Sequence, residues 1–337
     1  RQKPRFIFMF PMSTNLVEKR FVLAIMDAIR ANKVPSFSAW EGFDDVERSL
    51  HHQNAFAARQ CISMDYSSMD TTVRSSNMKI VYDIVAPVFQ EKFRDELKES
   101  MMHACEIPIM ISEDKLLIGE HGLASGSGWT NLSESILSEF VHELINMEIQ
   151  LIGNQLLGDD GAMTTESSRD PEDIARIIEA KSRLCGFDAN PSKQRINDYN
   201  LVYLQRFFDK DWKLDQVVVG AYPTVLALNA AMNPERFHDP LKWSSSMEIL
   251  RWIMILENCK HHPLFHDLID FFARGDKFQL GLAIPGYFKR VLPQDYKVAK
   301  TIKDFIPSYN VASKNRRIEE FEVVKYLKSK GSLESMA

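Results

Sequence analysis

Two textures of apolar and polar positions divide the chain. Up to about residue 212, short apolar runs bounded by Pro, Gly and Asp alternate with stretches of helical period. Beyond that point the pattern is one of helices joined by short polar loops. The first run, Arg5 to Phe10 between Pro4 and Pro11, predicts a buried strand. A helix is expected over 14–31, capped by Thr14 and presenting Leu16, Val17, Phe21, Leu23, Ala24 and Ile25, and another over 44–60 with Val46, Leu50, Ala55 and Phe56 inward. Ile62 and Met64 alternate as on a strand that Asp65 ends; Ser67 and Ser68 offer a cap, with Asp70 in the helical turn that follows. The period then predicts a helix over 77–104 and a hairpin from Ile107–Ile111 and Leu116–Gly119.

A glycine-rich loop, Ser125-Gly-Ser-Gly128, runs into a helix expected from Trp129 to Gln150. Glycines ahead of a helix let backbone N–H groups approach a nucleotide or a template strand, and Thr130 and Glu134 share one helical face. Two apolar runs then flank Gly158-Asp-Asp-Gly161, which reads as a hairpin turn carrying adjacent carboxylates at its tip. Asp170-Pro-Glu-Asp starts a further helix that Gly186 ends, Asn190-Pro-Ser-Lys-Gln194 is a turn, and Val202–Phe208 is a strand that Asp209–Trp212 turns back.

Composition narrows the class. The 337 residues suffice for more than one subdomain, and 45% hydrophobic with 26% charged residues is the balance of a soluble globular protein. No apolar run reaches the ~18 residues of a membrane span. Cys61, Cys105, Cys185 and Cys259 lie far apart, which disfavours a zinc site or a disulfide framework and points to a reducing compartment. His261, His262 and His266 have no acid at ligand spacing and read as helix-end histidines. The net charge of −5 does not advertise a nucleic-acid binder. Its distribution is more telling: residues 1–20 carry five Lys or Arg against one acid, and residues 287–330 eleven against five. Basic segments at both ends could line a phosphate path or simply be solvated faces. The start, Arg-Gln-Lys-Pro-Arg, has no Met and no apolar signal core, and an N-terminal truncation is expected.

The candidate chemistry lies in the carboxylates. Adjacent acids repel and raise one another's pKa unless a cation sits between them, and oxygen-rich sites suit Mg²⁺ or Mn²⁺. Alone, Gly-Asp-Asp reads first as an ordinary solvated turn, and the Asp65–Asp70 stretch as plain capping. Lys3 and Arg5 would share one strand face, as a triphosphate grip or a charged strand end.

In order, the stretches are a basic strand, Asp-x4-Asp, Ser-Gly-x3-Thr, Gly-Asp-Asp, Asn-Pro-x-Lys, and a short strand with Gln-Arg. This series resembles the palm motifs of viral RNA-dependent RNA polymerases over nearly the whole chain. Arg5–Pro11, Tyr203-Leu-Gln-Arg206, Pro234–Pro240 and Met254–Asn258 are most similar to picobirnavirus polymerases, with partitivirus polymerases next. The resemblance implies an α+β right-hand polymerase with an antiparallel-sheet palm, partial fingers and a mostly helical thumb. Fingers would occupy 1–60, lacking further N-terminal residues, with a fingers insertion at 84–120; palm would occupy 61–83 and 121–212, and thumb 213–337.

It further implies that Asp65, Asp159 and Asp160 hold two Mg²⁺ or Mn²⁺ ions and that Lys193 is the general acid for the leaving group. Lys3, Arg5, Asp70, Ser125, Gly126, Thr130 and Glu134 would bind the nucleotide; many relatives carry Asn or Asp where this chain has the longer Glu134. Implied partners are an RNA template and nascent strand, ribonucleoside triphosphates and, as a further candidate, a viral capsid protein, with no membrane. The implied location is the virion interior, the host cytoplasm or both, with replication and transcription of a viral RNA genome as the task.

A reverse transcriptase uses the same palm, but its ribose gate is usually a bulky aromatic, whereas Asp70 can accept a hydrogen bond from a 2′-hydroxyl. A non-catalytic RNA-binding protein that kept the fold would have no need of adjacent repelling acids. A metal-dependent nuclease would leave the glycine loop and the basic strand unexplained.

Overall fold

A computed structural model describes residues 8–234, 243–299 and 317–331. Lys3 and Arg5 lie outside the described residues, as do Glu235–Pro240 of the segment that begins at Pro234 and residues 300–316 of the basic C-terminal stretch. The chain forms two compact units: Arg1–Trp40 with Asp45–Leu204, and Glu41–Asp44 with Gln205–Ala337.

The first unit holds α1 (Met12–Ala31), most of α2 (Phe43–His52), β1 (Gln60–Met64), α3 (Met69–Thr72), α4 (Ser75–Val85) and α5 (Arg94–Glu106). It continues with β2 (Ile109–Ser112), β3 (Lys115–Leu117), α6 (Trp129–Ile149), β4 (Leu151–Leu157), β5 (Asp160–Thr165), α7 (Pro171–Leu184), β6 (Arg195–Asn197) and β7 (Asn200–Tyr203). A four-stranded sheet in the order β4-β5-β1-β6 is antiparallel throughout. From Gly161 to Thr165, β5 is buried at every position, so both faces of the sheet are covered at its centre. Leu137, Val141 and Ile145 of α6 join Ile62, Met64 and Met163 of the sheet in one core that also receives Phe21, Val22 and Ile25 of α1.

The second unit begins with the antiparallel pair β8 (Arg206–Leu214) and β9 (Val217–Ala221). Helices α8 (Thr224–Met232), α9 (Ser245–Glu257), α10 (Phe265–Gly275), α11 (Leu292–Ala299) and α12 (Glu322–Ser329) follow. Its core gathers around α9, where Leu250, Ile253 and Leu256 are fully buried. Arg206 is buried with its guanidinium 3.7 Å from the Phe43 ring and 5.4 Å from the Tyr222 ring, and it donates to the Asn258 carbonyl at 2.8 Å. Among the described residues no helix is long and apolar enough to cross a membrane.

Several local expectations are corrected. Residues 8–10 have no regular structure, and Met9 is 94% exposed, so the described end of the first apolar run is not a buried strand. Helix α1 starts at Met12 after Pro11 rather than at Thr14; it buries Glu18, Phe21, Val22 and Ile25 and leaves Leu16 and Leu23 exposed. The 44–60 helix stops at His52, with a 3₁₀ turn at Ala55–Ala57 ahead of β1. The 77–104 helix is two helices, because Pro87 can continue no i→i−4 ladder. The 202–208 strand is broken at Leu204 and Gln205, both at positive φ, and β8 runs through Asp209–Trp212 to a turn at Asp215 and Gln216. The chain therefore changes unit at Gln205, eight residues ahead of the change in texture at 213, because β8 and β9 belong with the helices that follow.

Candidate active site

The site starts from two strand ends. In the β1–β5 pair the ladder ends with Met64 opposite Gly161, so Asp65 and Asp160, the next residues outward, lie at the same end of neighbouring strands. The partner hairpin closes at Leu157 opposite Asp160, leaving Gly158 and Asp159 as the turn. Gly158 takes φ +63°, so the glycine the turn requires is the first of the motif. Gly161 serves differently: a Cβ there would lie 2.8 Å from Nε2 of the buried His142, whose ring sits directly against the strand. His142 Nδ1–H donates to Asn154 Oδ1 at 2.6 Å, and Asn154 Nδ2–H to Glu139 Oε2 at 2.8 Å, so a polar network underlies the hairpin. Burial pushes His142 down to about 4 and keeps it neutral.

Asp65 is tied at its backbone. Its N–H donates to Gln194 Oε1 at 3.2 Å, and its carbonyl accepts from Gln194 Nε2 at 2.9 Å. Lys193 donates to Ser67 Oγ at 2.9 Å and brings its ammonium to 4.0 Å from the Asp65 carboxylate. Both side chains of that pair are about half exposed, so it contributes little stability and leaves the lysine reachable.

The Asp160 carboxyl is pushed up to about 6: crowding around the hairpin thins its hydration, although the residue keeps an exposed surface, and the Asp159 and Asp65 carboxylates add like charge. Among the described residues no three His, Cys, Asp or Glu groups close into a metal cage. Three mutually repelling hard-oxygen donors at open strand ends nevertheless fit Mg²⁺ or Mn²⁺, which Mg²⁺-type sites bind through one or two carboxylates, water and substrate phosphates.

A second group of candidates lies at the start of α6. Trp129 is fully buried, with its indole N–H donating to Ser100 Oγ at 3.0 Å, and it fixes the helix entry. Ser125 is exposed and Gly126 is approached by the Phe8 carbonyl, while Thr130 Oγ donates to the Ala124 carbonyl at 2.8 Å. Asp70, in the first turn of α3, accepts the Thr71 N–H at 2.9 Å, and its carbonyl accepts from the Leu123 N–H at 2.8 Å, which ties the α3 turn to the glycine loop. Glu134 joins the two groups. It is buried, lies against Gly158, and is pushed up to about 8 by burial first and then by the Asp159 and Asp70 carboxylates. The structure thus brings Asp65, Asp159, Asp160 and Lys193 together around the sheet end, and Glu134 into electrostatic reach of both Asp159 and Asp70.

Glu134 has a consequence for stability. Its folded pKa lies above the ordinary 4.5, so between about 4.5 and 8 the folded chain binds more protons than the unfolded one, and stability falls as pH rises through that window. In EDTA, Glu134→Gln is expected to melt near the wild-type temperature at pH 5 and several degrees above it at pH 8.5. Thermal denaturation across this range checks it, and parallel curves would contradict it.

Three features escape sequence reasoning. Glu18, buried on α1, accepts from Ser127 Oγ at 2.8 Å and from the Gly128 N–H at 2.6 Å, holding the glycine loop. Its signal is a charge in the helix stripe with Phe21, Val22 and Ile25. Gln194 has no signal beyond its place after Lys193. Ser135 and Ser138 bond to the carboxylate turn, and only their density of small hydroxyls in a helix interior marks them.

Comparison with known proteins bears on the family and the fold. The family model "Viral RNA-dependent RNA polymerase" matches residues 1–253. A "Potential RNA-dependent RNA polymerase" of human picobirnavirus is 30% identical over 315 residues, 90% of this chain and 57% of that protein. An "RNA-directed RNA polymerase" of Cryptosporidium parvum virus 1 is 21% identical over 173 residues, covering 49% of this chain and 33% of that one. The crystal structure of the RNA-dependent RNA polymerase of a human picobirnavirus superposes with a TM-score of 0.83 at 27% identity, over 97% of this chain and 62% of that one. The chain therefore spans about three fifths of the picobirnavirus relatives it matches. Its fold is the α+β polymerase fold, and the chain belongs to the viral RNA-dependent RNA polymerase family.

Proposed function

We propose that this chain carries out template-directed RNA synthesis by nucleotidyl transfer, as the catalytic part of an enzyme that replicates and transcribes a viral RNA genome. The observation that carries the reading is the meeting of Asp65 with the Asp159-Asp160 turn at one sheet end, with Lys193 4.0 Å from the Asp65 carboxylate.

In this reading Asp65 and Asp159 are the principal metal ligands, with Asp160 in support. Two Mg²⁺ or Mn²⁺ ions bound there would supply the charge that activates the primer 3′-hydroxyl and stabilises the leaving pyrophosphate. Lys193 donates a proton to that leaving group from beside the carboxylates. Asp70, Ser125, Gly126, Thr130 and Glu134 orient the ribose, and Lys3 and Arg5 hold the incoming phosphates. Residues 61–83 and 121–212 serve as palm, 1–60 and 84–120 as fingers, and 213–337 as thumb. RNA template, nascent strand and ribonucleoside triphosphates are the partners, a viral capsid protein is a further one, and the place of action is the virion interior or host cytoplasm. A reverse transcriptase reading is disfavoured by Asp70, whose carboxylate can accept from a 2′-hydroxyl.

General acid catalysis by a positioned side chain contributes about 10²–10⁴-fold. Lys193→Leu is therefore expected to lower kcat by about 10²-fold, with template binding unchanged. Single-turnover incorporation measures this. A full rate would take Lys193 out of that role.

A further inference from the structure

Gly158 is buried, and its two backbone polar groups lie beyond the last pair of the β4–β5 ladder, which ends at Leu157 and Asp160. Both are met by side chains of one helix. The Gly158 N–H donates to Ser135 Oγ at 2.8 Å, and the Gly158 carbonyl accepts from Ser138 Oγ at 2.7 Å. Both serines are fully buried and, three apart on α6, share one face. Ser135 Oγ–H is itself spent on the Asn131 carbonyl at 2.7 Å, the back-bond usual for a serine inside a helix, which leaves its lone pair for the Gly158 N–H. The bond of Ser138 is the complement, its hydroxyl hydrogen pointing to the turn. The sheet cannot satisfy these two groups, and a buried backbone group left without a partner is costly.

We propose that Ser135 and Ser138 are positioning residues that clamp the carboxylate turn to α6 and thereby fix Asp159 for metal binding. This rests on the polymerase reading above. The clamp works through Gly158, the residue before Asp159, and touches neither metal nor nucleotide. It has a second effect. Thr130 and Glu134 lie on the same helix just ahead of Ser135, so one rigid element carries both the residues assigned to the ribose and the hold on the carboxylates. The spacing between nucleotide and metal ligands is thus set by a helix and two hydroxyls rather than by the hairpin alone. Its substitution is expected to act as loss of an outer partner of a metal ligand does, by roughly 10- to 100-fold in metal affinity or activity.

The test is a Mn²⁺ titration of the whole chain, read by water-proton relaxation, beside single-turnover incorporation. Ser135→Ala/Ser138→Ala is expected to weaken Mn²⁺ binding and kcat about tenfold or more, with a smaller change in KM for the nucleotide. Ser138→Ala alone shows part of the effect, and Ser138→Thr, which keeps the hydroxyl, restores it. Ser133→Ala is the control: Ser133 is fully buried on the same helix, and its Oγ has no hydrogen-bond partner among the described residues, so it leaves both quantities unchanged. Should the double variant fail to fold, the Ser138→Ala and Ser138→Thr pair decides. Mn²⁺ affinity and kcat of Ser138→Ala within twofold of wild type would overturn the clamp. Asp159→Ala in the same titration separates the two failures: if it too binds Mn²⁺ normally the polymerase reading falls, and if it alone loses the ion only the clamp does.

Discussion

Asp159→Ala abolishes labelled-nucleotide incorporation, by at least about 10³-fold, and leaves the melting temperature within a few degrees of wild type. The activity loss follows from what the carboxylate is assigned to do, since each 1.4 kcal/mol withdrawn from the transition state is a tenfold loss and a metal supplies several kcal/mol there. The stability expectation follows from the structure. Asp159 stands exposed at the hairpin tip, and the turn around it is held by the two serines on Gly158 and by the strand ladder. Removing it also relieves the like charge that raises Asp160 and Glu134. Incorporation kinetics and a thermal melt on the same sample check both halves. A variant that keeps a tenth of the wild-type rate would remove Asp159 from the catalytic set.

The second large effect falls on sugar selection. Asp70→Ala is expected to relax discrimination between ribo- and deoxyribonucleoside triphosphates by about 10- to 100-fold, the range of a hydrogen bond to a charged group worth about 1.5–3 kcal/mol. Asp70 lies within electrostatic reach of Glu134, which in turn reaches Asp159, and in the proposed reading its carboxylate would sense the ribose beside the metal ligands. The expected loss is in the ribonucleotide arm of kcat/KM, with the deoxyribonucleotide arm little changed. Asp70→Asn, which keeps an oxygen for the Thr71 N–H, separates sensing from local capping. An unchanged preference in both variants would take Asp70 out of that role.

What the sequence made legible was chemistry that needs particular residue types at particular places. Asp65 after an alternating strand, the Gly158-Asp-Asp turn and the loop before Trp129 were readable because strand ends, turns and helix starts have local rules. What holds these residues was not readable. The partners of Gly158 come from a helix 20 and 23 residues upstream, and Gln194 reaches Asp65 across 129 positions. Serine in a helix and glutamine in a turn look like surface polarity until packing buries them. Helix α1 was misread for the same reason: Glu18 occupies a buried position because the glycine loop gives it two donors, while Leu16 and Leu23 stay exposed. The compact units divide at Gln205 rather than near 213, because compactness groups the whole of β8 and β9 with the helices that follow, which local texture does not show.

The most direct test is incorporation of labelled UMP on a poly(A) template with an oligo(U) primer, with Mg²⁺ or Mn²⁺, by the wild-type chain beside Asp159→Ala. Incorporation that requires template and divalent metal, and is absent from Asp159→Ala, is the expected result. Incorporation that persists in Asp159→Ala or without template, or that the wild-type chain does not perform, would contradict template-directed synthesis at this site.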